Sequence, residues 1–242
     1  MSITIPKLHI VIPVYNEDKN VIDIVKQIEY YARKYQVPYH IYFIDDHSSS
    51  SETLWNLSNV CIRTDVSVFT NKGKGQQAAI LYGFYQVYGS NVYGDYICTL
   101  DCDMQDPVKE LFKMYKLLIC NQDSYNAAIG VRNTRDDLLL KRMTAMMYYK
   151  LQSFILGTYV PNASNFYILR VKDVLSLDMA NLSGSLLMQF QVMRYKYDRQ
   201  RRICGNTKYS MSRLCKLAYR GIIWSLSYKH KNKLKKKGLR LE

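Results

Sequence analysis

Asp101 and Asp103 stand two residues apart in the segment Asp101-Cys102-Asp103-Met104-Gln105-Asp106-Pro107. An apolar run, Tyr96-Ile97-Cys98-Thr99-Leu100, precedes it and predicts a buried strand. A helical pattern follows it, with Asp106 placed as cap and Pro107 in the first turn. Two carboxylates at the end of a strand can converge on one hard cation. Ions of the magnesium type are commonly held by one or two carboxylates together with substrate phosphates. The pattern points to a nucleotide diphosphate bound through a metal, at the edge where open α/β sheets carry their ligands.

The elements that position this segment are legible from hydrophobic period. Strands are expected at Leu8–Ile12, Tyr39–Ile44, Val66–Thr70, Tyr96–Leu100 and Ala127–Val131. Helical spacing joins Val21, Ile24, Val25, Ile28, Ala32 and Tyr35. Ser49 and Glu52 have capping-box spacing for the next helix. Residues 75–88 place Gln77, Ile80, Leu81, Phe84 and Tyr88 on one helical face. Val108, Leu111, Tyr115 and Leu118 do the same after Pro107. This alternation implies βαβ units and an α/β domain with a mostly parallel central sheet flanked by helices. The polar clusters Tyr15-Asn16-Glu17, Asp45-Asp46, Asn71-Lys72 and Asp101–Asp103 should then share one rim. Beyond residue 131 the alternation weakens. Helices are expected over 138–156, 171–180, 186–197 and 210–227, with a short strand at Phe166–Leu169.

With 242 residues, 48% of them hydrophobic, the chain can form one large domain with a substantial core. Residues 1–8 lack the pattern of a signal peptide, and the charge-free window Leu151–Leu169 holds Pro161 and several amides, a poor membrane span. Six cysteines without a CxxC or Cys/His pattern fit reduced thiols in a cytoplasmic protein. Gly73-Lys74-Gly75 lacks the GxxxxGK[ST] spacing of a P-loop. The net charge of +14 is unevenly spread. Residues 1–130 carry 11 Lys/Arg against 14 Asp/Glu, whereas 131–242 carry 23 against 6. The second half is built to meet something anionic.

The last expected helix places Met211, Leu214, Ala218, Ile222 and Trp224 together, flanked by Arg213, Lys216 and Arg220. It runs into Lys229-His230-Lys231-Asn232-Lys233-Leu234-Lys235-Lys236-Lys237. Such a stripe fits a helix lying on an anionic membrane surface, or a core-packing helix with a solvated tail.

Four segments in order resemble glycosyltransferase family 2. They are Ile10–Glu17, Ile44–Ser48, Asn71–Ala78 and Asp101–Pro107. The Asp-x-Asp-x-Gln-Asp-Pro form is similar to the polyprenyl-phosphate sugar transferases of that family. So are Gly130-Val131-Arg132-Asn133-Thr134-Arg135, Lys141-Arg142 and Lys208-Tyr209-Ser210. The resemblance implies a GT-A-like, Rossmann-type catalytic domain over 1–207. Residues 1–130 would form its nucleotide and metal half and 131–207 its acceptor half, with an amphipathic helix and basic tail over 208–242.

The resemblance also implies roles. Pro13, Tyr15 and Glu17 would line the nucleoside pocket, and Asp45 or Asp46 would hydrogen-bond base or ribose. Lys72 or Lys74 would lie near the donor. Asp101, Asp103 and Gln105 would bind Mg²⁺ or Mn²⁺, directly or through water. Arg132, Arg135, Lys141 and Arg142 would contact phosphate, for which the planar guanidinium fork is well suited. Asp103, Arg132 and Arg142 would carry the catalysis. Where relatives often have an acid, this chain has Asn162-Ala163-Ser164-Asn165-Phe166.

No Asp or Glu lies between Asp137 and Asp173. Transfer to a sugar hydroxyl needs a general base, and Asp173 and Asp178 are the carboxylates that could fold back to supply one. A phosphate monoester, with a second pKa near 6, needs none at neutral pH. The activity that the resemblance implies, and that the missing base favours, is inverting transfer of a sugar from a UDP- or GDP-sugar to polyprenyl phosphate, on the inner face of the membrane. Transfer to a saccharide hydroxyl in surface-polysaccharide assembly is the alternative. A non-catalytic, basic anion-binding protein is the other class; nucleic acid is not an expected partner.

Overall fold

The computed structural model describes residues 5–133, 139–157, 163–178, 181–200 and 211–236. Five strands alternate with helices at first: β1 (Leu8–Val14), α1 (Asn20–Tyr35), β2 (Tyr39–Asp45), α2 (Ser51–Val60), β3 (Val66–Thr70), α3 (Gln76–Gly89), β4 (Tyr96–Thr99), α4 (Val108–Cys120) and β5 (Ala127–Arg132). Then come α5 (Leu139–Leu156), β6 (Ala163–Arg170), a 3₁₀ turn (Val171–Ser176), α6 (Leu182–Gln189), β7 (Val192–Tyr197) and α7 (Met211–Lys236).

All seven strands form one sheet in the order β3-β2-β1-β4-β6-β5-β7. Only β6 runs antiparallel to its neighbours, β4 and β5. The chain winds outward from β1 through β2 to β3, then crosses back to place β4 on the other side of β1. That reversal opens a crevice between the C-terminal ends of β1 and β4, the place where doubly wound sheets hold ligands.

Alternate residues of each strand feed two cores. Leu8, Ile10, Ile12 and Val14 face α1 and α4, where Ile24, Ile28, Leu111, Phe112 and Tyr115 are buried. Val11, Ile44, Ile97 and Ile129 face α3, α6 and the 3₁₀ turn. The face of α3 is rotated from the expected one: Gln77 is exposed, and Ala79, Ile80, Gly83, Phe84 and Val87 are buried. Gly83 explains the rotation, because it lets the helix backbone lie on the sheet. A Cβ there would stand 2.5 Å from Val11 Cγ1 and 3.0 Å from Ile44 Cγ1. Gly83→Ala gains about 1 kcal/mol of helix propensity but forces overpacking of about 1–3 kcal/mol. Thermal unfolding should show a lower midpoint; an unchanged or raised one would contradict this packing.

Three other expectations are corrected. Ser50, not Ser49, caps α2, accepting from Thr53 N at 3.3 Å. The helix expected over 186–197 divides into α6 and strand β7. Met193, Tyr195 and Tyr197 alternate with the exposed Arg194 and Lys196, a period of two, and pack on the α1–α4 side. The last helix is longer than expected and reaches Lys236. Its Trp224 is buried, donating Nε1–H to Asp178 at 2.8 Å. Gly221 and Ser225 beside it meet Gln152 of α5. Trp224 therefore belongs to a packing face. Among the described side chains of α7, Tyr219, Ile223 and Leu226 form an exposed apolar row.

Candidate active site

Four loops meet at the C-terminal edge of the parallel strands. Left-handed backbone recurs there: Asn16 (φ 51°) after β1, His47 (φ 61°) after β2, Gly75 (φ 96°) before α3 and Met104 (φ 54°) after β4. Non-glycine residues in this region are uncommon and concentrate where function over-determines the backbone.

Hydrogen bonds tie the loops together. Asn16 Oδ1 accepts from the amides of Ser49 and Ser50 at 2.9 and 3.0 Å. Asp18 accepts from Thr53 Oγ1 at 2.7 Å and also from Ser50 Oγ. Asp46 accepts from Asn71 Nδ2 at 2.8 Å and from the Gly75 amide, fixing the glycine turn. Asp45 is buried and accepts from Ser48 N at 3.1 Å. Both aspartates thus hold turns. Their ordinary reading as turn residues is realised, and each carboxylate has further lone pairs. Tyr15 is exposed at this rim, Pro13 is half-buried, and Glu17 accepts from Asn20 Nδ2 at 2.7 Å. Lys74 is exposed, and Lys72 lies over the Tyr82 ring.

The paired aspartates sit at the mouth of the crevice. Asp101 accepts from Gln76 Nε2 at 2.6 Å, which links it to the first turn of α3. Asp103 accepts from the Gln105 amide at 3.1 Å. Between them and Gln105, Met104 is buried in its left-handed conformation and reverses the loop. Burial, Asp106 and Asp103 together raise the Asp101 carboxyl well above the usual range, against the pull of Arg132 and Arg199. A divalent cation would offset that repulsion. Among the described residues no group of three His, Cys, Asp or Glu is clustered for a metal. The donor set thus fits a cation that draws its remaining ligands from water and phosphate rather than one caged by protein.

Asp106 has a different role from the one its position suggests. Pro107 occupies the cap position of α4 and gives no side-chain cap bond. The Asp106 carboxylate, 1% exposed, turns inward. It accepts from Tyr197 Oη at 2.6 Å and pairs with Arg132 Nη2 at 3.5 Å and Arg199 Nε at 3.4 Å. Sequence reasoning missed Tyr197 because the helix expected over 186–197 hides the strand that ends there, and Arg199 because it follows that strand outside any expected element. The alternation of Tyr195 and Tyr197 with Arg194 and Lys196 is the signal that finds them. Arg132 ends β5. Arg135 lies outside the described residues. Lys141 and Arg142 are placed only as backbone, in the first turn of α5.

Asp173 and Asp178 do not gather here. β6 runs away from this edge, its Arg170 paired with Tyr96 at the start of β4. Asp173 follows it on the opposite edge, and Asp178 is engaged by Trp224.

Residues 9–177 match the family model of Glycosyl transferase family 2. The chain is 33% identical over 161 residues to undecaprenyl-phosphate 4-deoxy-4-formamido-L-arabinose transferase of Yersinia enterocolitica, covering 64% of this chain and 47% of that protein. It is 29% identical over 229 residues to the protein of the same name from Yersinia pestis, covering 89% and 66%. The chain thus spans between about half and two-thirds of the length of these relatives. Among solved structures it resembles mannosyl-3-phosphoglycerate synthase from Rubrobacter xylanophilus, with TM-score 0.67, 13% identity and coverage of 96% and 75%. It also resembles glucosyl-3-phosphoglycerate synthase from Mycobacterium tuberculosis, solved with Mn²⁺, uridine diphosphate and phosphoglyceric acid. There the TM-score is 0.66, with 13% identity and coverage of 93% and 78%. These two likenesses show the fold, which is GT-A-like.

Proposed function

The chain belongs to glycosyltransferase family 2, and on that premise we propose that it moves one sugar from a nucleotide diphosphate sugar to polyprenyl phosphate. The observation that carries this reading is the convergence at the switch point of Asp101, Asp103, the Asp46-held glycine turn and Arg132. Relatives named for transfer to undecaprenyl phosphate support the acceptor class.

In this reading Pro13, Tyr15, Glu17, Asp45 and Asp46 receive the nucleoside, and Lys74 lies near the diphosphate. Asp101, Asp103 and Gln105 hold Mg²⁺ or Mn²⁺. When bound, the cation acts as a Lewis acid that offsets charge on the departing diphosphate. Arg132, with Arg135, Lys141 and Arg142, binds phosphate. The acceptor phosphate is already ionised at neutral pH. It attacks the anomeric carbon in line with the leaving diphosphate and inverts it through an oxocarbenium-like state. Asp173, on the far edge, is not a base for this step.

Attachment to an anionic membrane surface, on its inner face, completes the reading. No helix among the described residues is long and apolar enough to cross a membrane. Two exposed apolar rows remain at helical spacing: Met147, Leu151 and Phe154 on α5, and Tyr219, Ile223 and Leu226 on α7. Exposed Lys150, Arg220 and Lys229 accompany them. Apolar rows beside basic side chains suit an interfacial helix. Residues 208–242 form the membrane-directed segment, although Trp224 itself packs inward.

The test offers radiolabelled UDP- and GDP-sugars with either polyprenyl phosphate in anionic vesicles or a soluble oligosaccharide. Label should enter the lipid phosphate. Label in the oligosaccharide alone would replace this reading with transfer to a hydroxyl. Label in neither would favour a non-catalytic anion-binding protein.

A further inference from the structure

Arg132 ends β5, and Arg199 lies just beyond the end of its parallel neighbour β7. Arg132 pairs with Tyr197 in the β5–β7 ladder, and Arg199 follows two residues later. A backbone bond from Gln200 N to Gln105 O, 2.9 Å, pins the segment after β7 to the metal-binding loop. Between the two guanidiniums lies one buried carboxylate, Asp106. Its Oδ2 faces Arg132, and its Oδ1 faces both Arg199 and the Tyr197 hydroxyl. One carboxylate cannot neutralise two guanidiniums. Nor does it saturate them: a guanidinium carries five N–H donors. The ion pairs, at 3.4 and 3.5 Å, are long. The Nε of each arginine is buried without a hydrogen-bond partner among the described residues.

We propose that Arg199 is the second guanidinium of a phosphate clamp whose first is Arg132, and that Asp106 is the positioning residue that sets the two side by side at the metal loop. Two planar forks held by one carboxylate present a fixed array of donors to tetrahedral phosphate oxygens. With all three carboxylates ionised, the cluster of Asp101, Asp103, Asp106, Arg132 and Arg199 carries one formal negative charge. A divalent cation reverses that sign, so the loaded site attracts an anion. The ligand is a phosphate group, from the donor's diphosphate or from the acceptor's monoester. The proposal rests on the transferase reading, and its test separates the two.

The experiment titrates inorganic pyrophosphate and, separately, farnesyl phosphate into the full-length protein by calorimetry in the presence of Mn²⁺. The proteins compared are wild type, Arg199→Gln, Arg199→Lys and Asp106→Asn, each well below its thermal midpoint. Arg199→Gln should weaken one of the two probes by about tenfold, with Arg199→Lys intermediate. The probe that weakens identifies the source of the phosphate. Arg199 is 28% exposed, so its replacement should leave the midpoint nearly unchanged. Asp106→Asn should reproduce the same selective loss; if it does not fold, the Arg199 series decides. In turnover, the loss should appear in KM for the matching substrate more than in kcat, which a merely structural role would not produce. Equal affinities for both probes in wild type and Arg199→Gln would overturn the clamp, as would wild-type protein that binds neither. Wild type that binds a probe but transfers no sugar would sink the transferase reading and leave the clamp standing.

Discussion

Asp103→Ala is expected to lower sugar transfer by about 10³-fold or more, with the thermal midpoint shifted by no more than a few degrees. The two halves of this expectation have separate causes. Asp103 is half-exposed, and its described bond within the loop is to the Gln105 amide. Losing such a bond costs about 0.5–1.5 kcal/mol, which is about 1–6 °C for a domain of this size. The chemistry loses far more. Removing a single preorganised donor to developing charge costs about 10²–10³ in rate, and a bound cation contributes several kcal/mol. Activity and melting measured on the same preparation check both halves. Transfer retained within tenfold would show that the paired aspartates do not hold a required cation.

Asp106→Ala should behave in the opposite way, although it lies three residues further along the same loop. Its carboxylate is buried among Tyr197, Arg132 and Arg199. Arg132 is itself only 12% exposed. Breaking a buried pair by removing one partner costs about 3–5 kcal/mol, because the remaining charge is left uncompensated. That corresponds to a drop of roughly 10 °C in midpoint for a domain of this size. On this account the loop would contain a carboxylate for chemistry, Asp103, and one for architecture, Asp106. A midpoint for Asp106→Ala within two degrees of wild type would contradict this division.

The sequence makes the first half of the fold legible, and the reason is physical. Parallel strands buried on both faces are written as continuous apolar runs, such as Leu8-His9-Ile10-Val11-Ile12, and the helices between them keep strict 3.6-residue periods. Their polar ends meet at one rim, as the alternation requires. Two things were hidden. The first is the identity of β7, a half-exposed strand of six residues that follows α6 closely and whose period of two spans too short a window to stand apart from the helix before it. The second is the inward turn of Asp106. A carboxylate before a proline is ordinarily a helix cap, and only the spatial arrival of Arg132, Tyr197 and Arg199 draws it into the core. Trp224 carries the same lesson. An aromatic residue on an amphipathic helix near a basic tail suits a membrane, but Asp178, 46 residues away, supplies an acceptor for its indole nitrogen.

Calorimetric titration of UDP and of GDP, each in Mn²⁺ and in EDTA, tests the central claim most directly. Wild-type protein should bind one of the two nucleotides in Mn²⁺ and lose that binding in EDTA, and Asp103→Ala should bind neither under either condition. Equal affinity with and without the cation, or no uptake of either nucleotide by wild-type protein, would contradict it.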